Sequence, residues 1–151
     1  MKVLFLHGLE SSPNSYKRQR LEKMGYEVHA PALNKNDWEE SVLTAREYID
    51  MVEPEVVIGS SRGGAVAIAA GSKVPLVLIA PAWGKYCPWG TISANTIIFH
   101  SKQDDIVPYG DSELLAKTFG VKLIETGSNH RMNDKEVFEK LKCVLDYWAL
   151  K

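Results

Sequence analysis

Apolar and polar positions fall into alternating blocks along the whole chain. Lys2–Leu6 is a continuous apolar run ending at His7-Gly8, which suits a strand buried on both faces. A polar loop follows, then an amphipathic helix over about Ser15 to Met24, stopped by Gly25. Tyr26–Ala30 reads as a second strand, closed by Pro31. Asp37 can cap a long helix to Val52, in which Trp38, Val42, Ala45, Ile49 and Val52 make one stripe. Glu55–Ile58 is the third strand, and the helix after it is apolar nearly all round up to Gly71, so it should be the most buried. Pro75–Ala80 and Thr96–His100 are the next strands, joined by an aromatic-rich stretch, Pro81–Gly90, with little helical pattern. A helix over Asp111–Phe119, a strand over Val121–Thr126 and a helix capped by Asp134 complete the chain. Strands and helices in this alternation predict a six-stranded, mostly parallel sheet in a three-layer α/β/α sandwich, a single domain over residues 1–151. In such sheets the ligand site lies outside the carboxyl ends of the strands. His7, Ser61, Asp104, Asp105 and His130 all fall there.

Composition narrows the functional classes. A net charge of −1 leaves no electrostatic footprint for nucleic acid or for an anionic membrane. No apolar run approaches membrane-spanning length, and the one at the N-terminus is too short for a signal peptide. Cys87 and Cys143 lack CxxC spacing and read as reduced thiols of a cytoplasmic protein, not as a disulfide or a metal site.

The chemistry concentrates in Val56–Ala70. An apolar β-branched run enters a small-residue turn and an Ala-rich helix leaves it, with Gly59-x-Ser61-x-Gly63 inside the turn. That is the nucleophile-elbow pattern. The serine must sit on strained backbone to expose its Oγ, and the positions two before and two after come too close for side chains. Ser61, not Ser60, has glycine on both sides at that spacing.

A serine nucleophile needs a base and an acid. Of the four histidines, His29 lies inside a strand pattern and His100 ends the fifth strand, where its side chain can brace the following loop. His7 ends the first strand. His130 alone follows the last strand, downstream of both serine and aspartates, where a base belongs in the order Ser…Asp…His. The loop Ser101–Pro108 holds Asp104 and Asp105; the spacing Asp-x-x-Val-Pro selects Asp104, with Asp105 the alternative. The acid would hold His130 in the right tautomer and stabilise the imidazolium. An oxyanion hole would draw on the backbone N–H of Arg62, at the start of its helix, and of Leu9, after His7-Gly8. Arg62 is itself unusual, because a cation in the first turn opposes the helix dipole, at a cost of about 0.3–1 kcal/mol. It either pairs with Glu10 or receives a substrate carboxylate.

With these residues in place the chain resembles an α/β-hydrolase and, more narrowly, the short bacterial esterases of the YqiA-like family. The matching pieces are Leu6-His7-Gly8 with Ser11-Ser12-Pro13, Gly59-Ser60-Ser61 with Gly63-Gly64, and Asn129-His130. The resemblance implies a Ser61–Asp104–His130 triad, no cofactor or metal, and a small-molecule ester of a short acyl chain as substrate. Two departures stand out. Arg62 occupies a position expected to be apolar, and the Pro81–Asn95 connection is too short for a lid domain. The site should then be shallow and open, with Trp83, Tyr86, Trp89 and Tyr109 either rimming it or packing elsewhere; of these, Trp83 and Tyr109, with Arg62, are the expected substrate contacts. The triad does not separate an esterase from a thioesterase. A non-catalytic binding module would call for a degenerate triad, and a nucleotide-binding protein for phosphate-cradling glycines that His7-Gly8-Leu9-Glu10 lacks.

Overall fold

The computed structural model describes all 151 residues. In chain order the elements are β1 (Lys2–Leu6), α1 (Tyr16–Lys23), β2 (Glu27–His29), α2 (Trp38–Val52), β3 (Val56–Ser60), α3 (Arg62–Ala70), β4 (Leu76–Ile79), α4 (Trp83–Tyr86), β5 (Ile97–His100), α5 (Tyr109–Phe119), β6 (Lys122–Glu125) and α6 (Lys135–Ala149). The strands form one sheet in the order β2-β1-β3-β4-β5-β6, with every pairing parallel. This is the α/β-hydrolase fold, without a cap domain.

The sheet has a core on each face because successive residues of a strand point to opposite sides. Val3, Phe5, Val56, Ile58, Val77, Ile79 and Phe99 pack with Leu21 of α1 and with Val137, Phe138, Leu141 and Leu145 of α6. Their strand neighbours Leu4, Leu6, Val57, Leu76, Leu78 and Ile98 pack with Val42 and Ala45 of α2, Val66, Ala67 and Ile68 of α3, and Leu115 of α5. Each such side chain contributes about 1.5–3 kcal/mol when fully buried. All of α3 but Ala69 is buried, as its sequence demands. Its carboxyl end is met by Arg46, whose guanidinium donates to the carbonyls of Ala69 and Ala70.

β1 lies between β2 and β3, so the chain winds away in both directions from the β1–β3 pair. The carboxyl ends of those two strands flank the crevice where an open α/β sheet takes its ligand.

The caps follow the sequence with three differences. Ser15 and Asp37 accept the N–H groups of Arg18 and Glu40, as N-caps should. Asp134 occupies the cap position of α6, but its carboxylate turns away to accept from the Ser128 N–H and hydroxyl, tying down the loop after β6. The fifth helix starts at Tyr109, directly after Pro108. The aromatic stretch read as loop contains α4, a single turn held by tertiary contacts rather than by periodicity. No helix is long and apolar enough to cross a membrane.

Candidate active site

The turn between β3 and α3 is built around Ser61, whose backbone is held at φ 54° and ψ −116°. For a non-glycine residue this conformation costs about 1–3 kcal/mol. Four backbone hydrogen bonds hold it: Ser61 N–H donates to Ile79 O at 2.9 Å, Ala82 and Gly64 each donate to Ser61 O at 3.0 Å, and Ala65 donates to it at 3.4 Å. The flanking glycines are required by close approach. A Cβ on Gly59 would lie 2.5 Å from the Gly63 carbonyl oxygen, and one on Gly63 would strike the carbonyl oxygens of Leu6 and His7. The second contact is not internal to the turn: Gly63 lets α3 start directly against the end of β1.

Ser61 Oγ lies 3.0 Å from His130 Nε2. His130 comes from the loop after β6, and its Nδ1–H donates to Asp104 Oδ2 at 2.7 Å. That bond places the proton on Nδ1, leaving Nε2 free to accept the Ser61 hydroxyl proton. Asp104 is reached by three further donors. The N–H groups of Ile106 and Val107 both donate to Oδ1 at 2.8 Å, and His100 Nε2 donates to Oδ2 at 2.9 Å. Burial alone would push the Asp104 carboxyl up; the hydrogen bonds from His130, the two amides and His100 outweigh it and bring the group below the usual carboxylate range. Asp104 therefore stays anionic. Asp105 next to it is exposed and makes no side-chain bond, so it is Asp104 that the loop turns inward.

Behind Asp104 stands a second histidine. The His100 side chain is fully buried, and burial lowers its pKa against the opposing pull of Asp104. Neutral, and donating from Nε2 to Asp104, it accepts the Ser112 hydroxyl at Nδ1, 2.6 Å away. The expected brace of the loop is thus a bond to the acid itself. His7 is also buried; its Nδ1–H donates to Gly8 O at 2.7 Å and its Nε2 accepts from Leu33 N–H at 3.0 Å. Both ring nitrogens are occupied by backbone, and His7 shapes the loop after β1. His29 pairs with Glu27 on β2, away from these groups.

A cavity of about 690 Å³ opens over Ser61 and His130. It is lined by the loop after β1 (Gly8 to Ser11), the start of α1, Arg62, Ala82, Lys85, Tyr86, the segment Ile106–Pro108 and Arg131. α4, through Lys85 and Tyr86, supplies one wall of it. A Cβ on Gly8 would lie 3.4 Å from Ser61 Cβ, which puts the loop after β1 directly beside the serine. Leu9 and Arg62 both line the cavity, and the backbone N–H of neither donates to any protein acceptor. No group of three or more His, Cys, Asp or Glu side chains is arranged to hold a metal ion.

Three expectations are corrected here. The Arg62 side chain neither pairs with Glu10 nor faces the cavity as a free cation; it is 3% exposed and donates to Asn34 O at 3.0 Å and Ser41 Oγ at 3.1 Å. Trp38 and Tyr86 stack face to face at 4.8 Å, and the Arg62 guanidinium lies 5.6 and 5.8 Å from their rings. Trp83, half-buried, packs on the core cluster that includes α3 and is absent from the cavity wall; the apolar contact places it there even though its indole N–H finds no partner. Tyr109 covers His100, ring to ring at 5.5 Å, instead of meeting substrate. Of the aromatic residues considered, Tyr86 lines the cavity, and Trp89 is 94% exposed. Two groups escaped the sequence reading, Ser112 and Lys17. Neither carries a local signal, because each acts through a contact more than ten residues away.

A profile of the family described as "Uncharacterised protein family (UPF0227)" matches residues 2–92, from β1 through α4. That span includes Ser61 and stops short of Asp104 and His130. A comparison with curated sequences returns no match. Among solved structures, a candidate hydrolase of the alpha/beta superfamily from Xanthomonas campestris superposes with a TM-score of 0.79 at 19% identity, covering 99% of each chain. Est1E from Butyrivibrio proteoclasticus gives 0.76 at 13% identity, over 99% of this chain and 88% of the other. The esterase domain of a Rhodothermus marinus protein gives 0.70 at 18% identity, over 98% and 85%. At these identities the likeness is one of fold.

Proposed function

The chain belongs to the UPF0227 family, and from that premise and the geometry at the strand ends we propose that it is a serine hydrolase cleaving small carboxylic esters of short acyl chains. One observation carries the reading: Ser61, in a strained backbone conformation beside a cavity, is hydrogen-bonded at 3.0 Å to a histidine that is itself bonded at 2.7 Å to a buried carboxylate.

In the proposed reaction Ser61 Oγ attacks the ester carbonyl carbon while His130 Nε2 takes the hydroxyl proton. Asp104 keeps its charge and stabilises the imidazolium. The carbonyl oxygen becomes an oxyanion, for which the unpaired N–H groups of Leu9 and Arg62 are the available donors; one such donor is worth about 2.7–4 kcal/mol. Collapse breaks the bond to the alcohol, which leaves with the proton from His130. The acyl-Ser61 intermediate is then attacked by water, with His130 again as base, and the acid is released.

Two features support ester chemistry over a silent site. The strain at Ser61 is retained rather than relieved by glycine, and Asp104 has a full set of donors that keep it ionised. The test is labelling by a fluorophosphonate, with hydrolysis of 4-nitrophenyl butyrate measured alongside. Wild type should label and turn over, and Ser61→Ala should do neither. Equal labelling of the two proteins overturns the reading.

A further inference from the structure

Part of the cavity wall is built by the loop after β1, the start of α1 and the loop after β6. Lys17 lies in it, 9% exposed. Its ammonium donates to the Arg131 carbonyl and, at 3.1 Å, to Asn133 Oδ1, which leaves one of its three N–H groups without a protein partner. No carboxylate lies within ion-pair distance of it. The charge that bears on it is another cation: burial first, and then Arg131, lower the Lys17 pKa to about 8. The Arg131 guanidinium makes no hydrogen bond or ion pair of its own, and Lys85, also on the cavity wall, has no carboxylate partner. Glu10 and Asp111 line the same cavity and pair with none of these cations.

Backbone adds to the same sign. The N–H groups of Tyr16 and Lys17 open α1 at this wall without acceptors, since the Ser15 hydroxyl takes the Arg18 N–H and the Ser15 carbonyl the Gln19 N–H. The contrast with Arg62 is direct. That cation has a carbonyl, a hydroxyl and two aromatic rings around it, whereas Lys17, beyond its two neutral acceptors, has only the like charge of Arg131 bearing on it. A buried ammonium with no counter-charge, beside the exposed guanidinium of Arg131, makes an unfavourable arrangement that an anion in the cavity would relieve.

We propose that Lys17 and Arg131, with Lys85 at the margin, form an anion subsite, and that the esters cleaved at Ser61 carry a carboxylate or phosphate group that docks there. The subsite stands on the cavity alone; its place in turnover rests on the hydrolase reading above. Lys17 also ties down the loop carrying His130, so its replacement would weaken every substrate. Arg131 is the more selective handle, because its backbone makes the contact to Lys17 and its side chain is free.

The experiment has two arms. In the first, kcat/KM is measured for 4-nitrophenyl butyrate and for the mono-4-nitrophenyl ester of glutaric acid, in wild type and Arg131→Gln. The ratio of anionic to neutral ester should fall about tenfold in the variant, as expected for one charge-assisted hydrogen bond. A role confined to holding the loop would lower both substrates together and leave the ratio alone. In the second, glutarate and inorganic phosphate are titrated into Ser61→Ala by calorimetry. Saturable binding of either supports the subsite and tells carboxylate from phosphate. An unchanged ratio in Arg131→Gln, or failure of both anions to bind, overturns the proposal. Anion binding by a protein that neither labels nor hydrolyses would overturn the hydrolase reading and leave the subsite standing.

Discussion

Two buried polar clusters sit at the carboxyl ends of the strands, and they end differently. On the β5 side, hydrogen bonds run from Ser112 through His100 to Asp104, on to His130, and finish at Ser61 Oγ over the cavity. On the β3 side, Arg62 is bound by Asn34 and Ser41 and faced by Trp38 and Tyr86, and no bond leads out. Both clusters are buried, charged and well satisfied. What distinguishes them is that the first delivers one free acceptor to a nucleophile. Burial and charge alone therefore do not mark chemistry; a valence left facing the cavity does. Lys17, with one N–H to spare, belongs by that criterion with the first cluster.

The largest break in the comparison comes from Asp104→Asn. An amide at this position can offer its N–H₂ to His130 and trap the wrong tautomer, so kcat should fall about ten-thousandfold. Asp105→Asn, one residue along but exposed and unbonded, should leave kcat within about twofold of wild type. Steady-state hydrolysis of 4-nitrophenyl butyrate separates them, and a large loss in the Asp105 variant would move the acid to that residue.

Much of the first cluster could be read from the chain, and little of the second. Gly59, Ser61 and Gly63 announce themselves because the strained turn restricts three positions within five residues, and the order Ser…Asp…His that goes with such a turn then picks Asp104 and His130 from the ends of later strands. The parallel sheet was legible because its inner strands are apolar runs, while the edge strands β2 and β6 keep only short apolar centres between charged or polar ends. Arg62 was conspicuous as a broken local rule, yet its partners Asn34, Ser41, Trp38 and Tyr86 come from two other parts of the chain. Nothing local encodes that meeting. The short helix α4 failed for a related reason, since one turn has no periodicity to detect and is held by the Tyr86–Trp38 stack. Ser112 became visible only once α5 was laid against β5.

A smaller effect tests the inner end of the first cluster. His100→Phe removes one of the four donors to Asp104 and leaves Ser112 unpaired. One hydrogen bond to a buried charge is worth about 1.5–3 kcal/mol, so kcat should drop about ten- to hundredfold while KM holds. His100→Gln keeps an N–H donor of similar reach and should recover most of the loss. If the two variants are equally impaired, the bond to Asp104 is not what His100 contributes; if neither is impaired, the chain begins at Asp104.

The smallest effect on turnover belongs to the closed cluster. Because the Arg62 guanidinium is consumed by Asn34, Ser41 and the aromatic pair, Arg62→Met should leave the ratio of anionic to neutral ester hydrolysis unchanged, while Arg131→Gln shifts it. The backbone N–H of residue 62 survives the substitution, so the oxyanion donor remains. The loss should appear in stability. Removing the guanidinium takes one donor from Ser41 Oγ and one from the Asn34 carbonyl, which keeps the Ser41 hydroxyl and the Asp37 N–H, and it takes the cation from beside the stacked Trp38 and Tyr86 rings, about 1–3 kcal/mol in all. Urea unfolding would show this as a lower midpoint at constant slope. A changed substrate ratio at full stability would instead make the Arg62 side chain a specificity residue, and the two clusters would no longer differ in kind.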